Sequence, residues 1–319
     1  MKTIKTEDAV GHVLGHDLTQ IIKGVSKGPR FKKGHLIKEE DVPVLLEMGK
    51  EHIYIFEVLE DEYHEEDAAK EIARKISGEN IKFSDVSEGK VNLIADVDGV
   101  LIIDVEKLFN LNSITDVTIA TKFSDIAVKK GDIIAGTRIT PVKIKKDVID
   151  EIKDEKVIEV VPFKALKYAI VTTGSEVSKG RIEDKFTDVV RDKFSKFNFE
   201  EISQEYASDD LDEISEKIDR AVAKGADVVV CTGGMSVDPD DNTPGAIKKS
   251  SSEKITYGTP VLPGAMFMVA YKDNTALFGL PGSVMYCEKT ILDMILPKIA
   301  AGIKLEKKDV VKLGHGGLL

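Results

Sequence analysis

An α/β fold is the class this sequence predicts: a three-layer, mostly parallel sheet with helices on both faces, preceded by smaller β-rich and α+β domains. Three observations predict it. From about residue 166, segments of strand and helix character alternate. The run Val228-Val229-Val230 is β-branched without polar interruption, as suits a strand buried on both faces of a parallel sheet. Glycine-containing turns come after the apolar runs, where parallel sheets bind their ligands.

Residues 1–62 read as a small β-rich domain and residues 63–165 as an α+β domain, with the acidic stretch 61–66 between them. In the second, 68–76 reads as a helix, 90–104 and 114–121 as strands, and Lys129-Lys130-Gly131-Asp132 as a turn into another apolar run. Residues 166–303 form the α/β domain. Its expected elements are a strand at 168–172, a helix at 184–196, a strand at 199–203 and a helix at 209–224. In that last helix Leu211, Ile214, Ile218 and Val222 recur on one face. Next come a strand at 226–231 and a helix for which Thr243 is the N-cap and Pro244 the first helical position. Strands at 267–271 and 276–278 flank an Asp273-Asn274 turn, and 285–299 closes as an apolar helix. The tail, 304–319, reads as frayed or linker-like.

The chemistry concentrates in residues 231–244, Cys-Thr-Gly-Gly-Met-Ser-Val-Asp-Pro-Asp-Asp-Asn-Thr-Pro. Gly233 and Gly234 lack a Cβ, so the chain can turn sharply and a ligand can approach the backbone N–H groups. Thr232 and Ser236 add hydroxyl donors, and the helix start beyond them favours an anion. Asp238, Asp240 and Asp241 fall within four residues, and magnesium takes one or two carboxylates beside waters and substrate phosphate oxygens. Spacing alone leaves open an ordinary acidic turn.

The same segment resembles the glycine-glycine-x-serine-x-x-x-x-aspartate signature of the molybdopterin-binding domain, found in enzymes that complete the molybdenum cofactor. Other segments resemble that domain in the same order. Residues 169–176, Ala-Ile-Val-Thr-Thr-Gly-Ser-Glu, are similar to its first strand and turn, and Gly180-Arg181-Ile182-Glu183-Asp184 to its glycine-x-isoleucine-x-aspartate segment. Val261-Leu262-Pro263-Gly264 and Gly279-Leu280-Pro281-Gly282-Ser283 are similar to its two proline-glycine turns. Residues 9–17 and 31–55 resemble the opening and the small β-rich domain of the larger, molybdate-inserting members.

The chain also departs from the family pattern. Asp238 stands where the family usually has glycine, Leu262 where it often has lysine, Phe186 where it often has asparagine, and Ser283-Val284 where it has asparagine-proline. An aspartate-glycine-tyrosine-alanine segment used by the larger enzymes has no supported match. Fewer polar contacts to an anionic ligand make binding the firmer implication and catalysis the weaker one.

Composition narrows the classes. A net charge of −11 over 319 residues argues against a nucleic-acid surface. Two cysteines are too few for a disulfide framework, and no Cys/His set has zinc spacing. The first residues lack the apolar core of a signal peptide and no apolar run is long enough for a membrane span, so a cytoplasmic location is expected.

The resemblance implies that Thr173, Gly174, Ser175, Thr232, Gly233, Gly234, Ser236, Pro263, Gly264, Pro281, Gly282 and Ser283 bind molybdopterin or its adenylated form. It implies Asp241, Asp184 and Glu176 as catalytic carboxylates, with Asp241 holding Mg²⁺. The implied function is magnesium-dependent molybdate insertion or handling of adenylated molybdopterin, by a homo-oligomer that meets molybdate and a molybdenum enzyme. A non-catalytic carrier or sensor is the first alternative and a dinucleotide pyrophosphatase the second.

Overall fold

Each residue of Val228–Thr232 is buried, so this strand has no solvent face, and it lies inside a six-stranded sheet. The computed structural model describes residues 2–22, 26–56, 60–175, 184–236, 238–239 and 241–319. The chain divides into two units, Met1–Ser124 with Val128–Val161, and Asp125–Ala127 with Pro162–Leu319. Among the described residues no helix is long and apolar enough to cross a membrane.

The C-terminal unit is the expected α/β layer. Its elements are β1 (Leu166–Thr173), α1 (Phe186–Ser195), β2 (Phe199–Ala207), α2 (Leu211–Ala223), β3 (Val228–Thr232), α3 (Thr243–Ser250), β4 (Glu253–Tyr257), β5 (Met268–Lys272), β6 (Thr275–Leu280), α4 (Ser283–Tyr286), α5 (Ile291–Ala300) and α6 (Lys307–Val311). The strand order is β2-β1-β3-β6-β5-β4. The first four strands run parallel, and β5 and β4 complete the sheet antiparallel.

Strand parity divides the core. Tyr168, Ile170, Val228, Val230 and Phe278 pack with Val190 and Phe194 of α1 and with Ile291, Leu292 and Ile295 of α5. Ala169, Val171, Val229, Cys231 and Leu277 pack with Ile214 and Ile218 of α2 and with Ala246 and Ile247 of α3. Helices therefore cover both faces. A strand between two helical layers gains nothing from alternation, which is why its sequence is continuously apolar.

The structure corrects three sequence expectations in this unit. The closing helix is two helices, because Cys287 leaves α4 in an extended conformation and Thr290 with Asp293 forms a capping box that starts α5 afresh. The N-cap of α3 is Asn242 rather than Thr243, which is fully buried and has its hydroxyl bonded to Thr173. The tail is part of the core. Leu305 and Val310 are buried, and Glu306 with Asp309 caps α6 through a capping box. Asp309 also accepts from Lys298 at 2.7 Å, and the Leu319 N–H donates to the Leu262 carbonyl at 2.8 Å. In addition, β4 is a strand over a segment to which the sequence reading assigns no element.

The N-terminal unit holds a small core of Ala9, Leu14, Leu18, Phe31, Ile37, Leu45 and Ile53. Antiparallel pairs Lys2–Lys5 with His52–Ile55, and Leu18–Ile22 with Ser26–Phe31, lie in this part. Beyond them is a four-stranded antiparallel sheet in the order Ile81–Phe83, Lys90–Ala95, Ile133–Ile139, Val117–Thr121. The strand expected over 90–104 is two strands, Lys90–Ala95 and Gly99–Ile103, which belong to different sheets. The helix Glu65–Ile76 lies against the four-stranded sheet, with Ala68, Ala69, Ile72, Ala73 and Ile76 fully buried.

Candidate functional site

The register of the parallel strands brings the glycine turns side by side. Thr172 of β1 is level with Thr232 of β3, which is level with Leu280 of β6. The chain leaves these strands through Thr173-Gly174, Gly233-Gly234 and Pro281-Gly282, three neighbouring turns at one carboxyl edge.

The threonines of this edge face opposite layers. Thr173 belongs to the α2/α3 side: its hydroxyl donates to the Thr232 carbonyl at 3.1 Å, so at its 3.1 Å contact with Thr243 it receives the proton. This pair clamps the glycine turn. Gly233 and Gly234 have φ of +88° and +55°. A Cβ on Gly233 would overlap the Thr173 carbonyl and lie 2.8 Å from its hydroxyl. One on Gly234 would lie 2.8 Å from the Thr243 hydroxyl and 3.7 Å from Oδ1 of Asp241. Glycine is required at both positions by conformation and by space.

Asp241 thus stands over Gly234, its own N–H donating to the Asp238 carbonyl at 3.0 Å. Asp238 and Ser236 are exposed. Tyr257, on the edge strand β4, places its hydroxyl 3.4 Å from the carbonyls of Met235 and Ser236. Burial and the nearby Asp241 charge push the Tyr257 hydroxyl above its ordinary pKa.

Asp184 has another environment. One carboxylate oxygen accepts from Thr172 at 2.9 Å, Thr187 at 2.6 Å and Gln204 at 3.0 Å. The other accepts the N–H groups of Phe186 and Thr187 at 3.0 and 3.1 Å. Burial works against the charge, but the hydrogen bonds from Thr187, Thr172 and Phe186 hold the Asp184 carboxyl below the usual range. The carboxylate fastens the start of α1 to β1 and β2, and these donors occupy the lone pairs that metal or proton chemistry would need.

Two hydroxyls at the edge lack partners. Thr232 Oγ1 and Ser283 Oγ are buried and have no hydrogen-bond partner among the described residues. Buried polar groups are nearly always paired, so these are the atoms a bound ligand or water would satisfy.

The other predicted positions surround these turns. Gly174 has φ of +131° and donates to the Ala207 carbonyl at 3.2 Å, and the Ser175 N–H donates to Asp209 at 3.0 Å. Pro281 accepts from Val284 at 3.0 Å as α4 begins, and Gly282 is exposed. Gly264, at φ of +126°, faces Ile291, where a Cβ would lie 3.0 Å away, and Leu262 bridges to Leu318. The Pro263-Gly264 turn therefore supports the start of α5. Glu176, the segment 180–183 and Asp240 lie outside the described residues.

Sequence reasoning missed four contributors. Thr187 and Gln204 fix Asp184, Asp209 holds Ser175 and Asn242, and Tyr257 borders Asp241. The Asp184-x-x-Thr187 spacing is a helix-start signal that could have revealed the first. The others arrive from β2, from the connection after it and from β4, and leave no linear mark.

Magnesium can be weighed against these residues. No group of three or more His, Cys, Asp or Glu able to hold a metal exists among the described residues. Asp241, with Asp238 in the same turn, fits an ion that takes one or two carboxylates and completes its shell with ligand phosphate and water.

Comparison with known proteins gives the domain its family. Residues 169–301 match the family described as a probable molybdopterin binding domain, and residues 3–57 match a domain of unknown function (DUF8806). A molybdopterin molybdenumtransferase from Staphylococcus aureus is 28% identical over 174 residues, covering 52% of this chain and 39% of that protein. The chain thus matches about two fifths of that relative's length. A molybdopterin adenylyltransferase from Pyrococcus furiosus is 28% identical over 151 residues, covering 43% of this chain and 88% of that protein. A solved structure of the molybdopterin biosynthesis enzyme MoaB from Thermus thermophilus is 20% identical, with 43% of this chain and 97% of that one covered and a TM-score of 0.37. The resemblance carried by the sequence motifs is thus matched, over residues 169–301, by the family model of a probable molybdopterin binding domain.

Proposed function

We propose that the carboxyl edge of β1, β3 and β6 binds molybdopterin or adenylated molybdopterin through its phosphate, in magnesium-dependent molybdate insertion or handling of the adenylated cofactor. The observation that carries this reading is the pair of buried, unpartnered hydroxyls, Thr232 and Ser283, beside the Gly233-Gly234 turn. In the proposal the glycine N–H groups and these hydroxyls meet anionic oxygens, and Ser236 and Gly282 lie at the rim. Mg²⁺ at Asp241 would neutralise phosphate charge when bound. Thr173 and Thr243 keep the turn open, Asp184 anchors α1, and Tyr257 holds the carbonyls that precede the acidic loop.

Titration of the purified chain with molybdopterin and with its adenylated form, followed by pterin fluorescence, tests this reading. Saturable binding tightened by Mg²⁺ is expected, with the metal dependence lost in Asp241→Ala and affinity lowered in Ser283→Ala. No binding to the parent protein would overturn it.

A second reading, binding without turnover, draws support from Asp184. With that carboxylate saturated and Asp209 holding the Ser175 N–H, Asp241 shares its turn with only the exposed Asp238 among the described carboxylates. A stable complex that neither hydrolyses the adenylate with molybdate nor forms it from ATP would select the carrier.

A further inference from the structure

The four-stranded antiparallel sheet of the N-terminal unit has one face against the helix Glu65–Ile76 and one face open. Burial alternates along Lys90–Ala95 and Val117–Thr121, so the open side is set by parity: Lys90 and Asn92 on one strand, Thr118 and Ala120 on another, and Gly136 and Arg138 between them. Register arranges these in two rows. Arg138 stands opposite Lys90 on one side and Thr118 on the other, and Gly136 stands opposite Asn92 and Ala120. A cavity of about 350 Å³ lies over these rows, with Lys122 at its end.

Two features of this face have no internal explanation. Like charges directly opposite on neighbouring strands are destabilising, yet Lys90 and Arg138 are so placed and neither has a carboxylate within ion-pair distance among the described residues, the buried Glu65 attracting Arg138 only from beyond that distance. Lys122, by contrast, pairs with Asp132 at 3.3 Å. Glycine inside a strand weakens it, and Gly136 is needed neither for a positive φ nor for space, since the nearest atom to its Cβ position is Asn92 Oδ1 at 3.4 Å. A glycine there leaves a depression between Asn92 and Ala120, beside the row of Lys90, Arg138 and Thr118. The side chains of Asn92 and Thr118 make no hydrogen bond to another described residue, so their donors are free.

We propose that this face binds a small, soluble phosphate monoester, its dianionic group seated between Lys90 and Arg138 and its body over Gly136 and Ala120. Charge complementarity selects the group: one dianion neutralises two adjacent cations that no ion pair compensates, and the guanidinium fork matches two phosphate oxygens. The volume selects a small body, because it lies at the lower end of small-molecule sites. This site is separate from the carboxyl edge and does not depend on what binds there.

Calorimetric titration of the full chain with glycerol 3-phosphate tests the proposal. Saturable binding is expected, weakened about tenfold or more in Arg138→Gln and in Lys90→Gln. Unliganded Lys90→Gln should melt no lower than the parent, because a like-charge contact is relieved. Gly136→Ala should weaken binding without lowering the melting temperature, and Thr232→Val, in the other unit, should leave the affinity unchanged. Absence of saturable binding overturns the proposal, as does equal affinity in Arg138→Gln or loss of binding in Thr232→Val alone. Inorganic phosphate binding as tightly as the ester overturns the assignment of the body. Adsorption to phosphatidylserine vesicles that glycerol 3-phosphate does not displace overturns the choice of a soluble ligand.

Discussion

Burial along Val228–Thr232 is unbroken, whereas along Lys90–Ala95 it alternates residue by residue. The first strand sits between two helical layers, and the second has one helical layer and one open face. A strand covered on both sides can offer a ligand only its end, so the C-terminal unit's chemistry is gathered in turns. A strand open on one side offers a row of side chains, and the N-terminal sheet presents charge on its face. Glycine serves the two arrangements differently, by conformation and close contact in the turns and by leaving room on the sheet, and this gives the comparison its sharpest tests.

Gly233→Val should have the largest effect. The substitution meets a left-handed φ of +88° and overlap with the Thr173 carbonyl, which together cost about 3 kcal/mol or more. Faster amide hydrogen exchange at Val228 to Val230, with ligand binding lost, is the expected readout. Native-like exchange in this variant would mean that the turn tolerates a side chain and that the clamp by Thr173 is dispensable.

Asp184→Ala comes next, at about 2 kcal/mol, because it removes a helix-start acceptor and strands the Thr172, Thr187 and Gln204 donors. The sign of its pH dependence comes from the depressed carboxyl. Its stabilisation is present above the unfolded value of about 3.9 and is lost as pH falls through the lower folded value. Acid unfolding watched by circular dichroism should therefore show a shallower loss below about pH 4 in Asp184→Asn than in the parent.

Legibility in the sequence divides along the same line. A strand inside two layers announces itself by an uninterrupted apolar run, so the cores of β1 and β3 and the glycine turn after β3 were legible, as was the α2 face of Ile214 and Ile218. The edge strand β4 was not, because Glu253, Lys254 and Tyr257 are exposed and its pattern is too short to declare a period. Asp184 was visible as a carboxylate near a motif, but its role depends on donors from β1, α1 and β2 that meet only in space. Thr243 misled for a related reason: a hydroxyl before proline looks like a cap, and tertiary packing gave it to Thr173 instead.

Gly225→Ala measures the conformational part of the turn effect alone. Gly225 has φ of +90° but nothing within 4 Å of its Cβ position, so the cost, read from the shift in a denaturant midpoint, should be about 1 kcal/mol. A loss as large as that of Gly233→Val would show that φ rather than Thr173 dominates at the site turn.

Gly136→Ala should have the smallest effect on stability and serves as the reference for the N-terminal sheet. Its backbone is ordinary extended chain, and the added methyl meets Asn92 at normal contact distance. Alanine also loses less conformational freedom on folding than glycine, an advantage of about 0.5–1 kcal/mol in a strand. The melting temperature should hold or rise slightly by calorimetry. A clear fall would mean that the open face is packed against something that its exposed Lys90 and Arg138 do not reveal, and the face would then have to be read as a buried surface rather than a binding one.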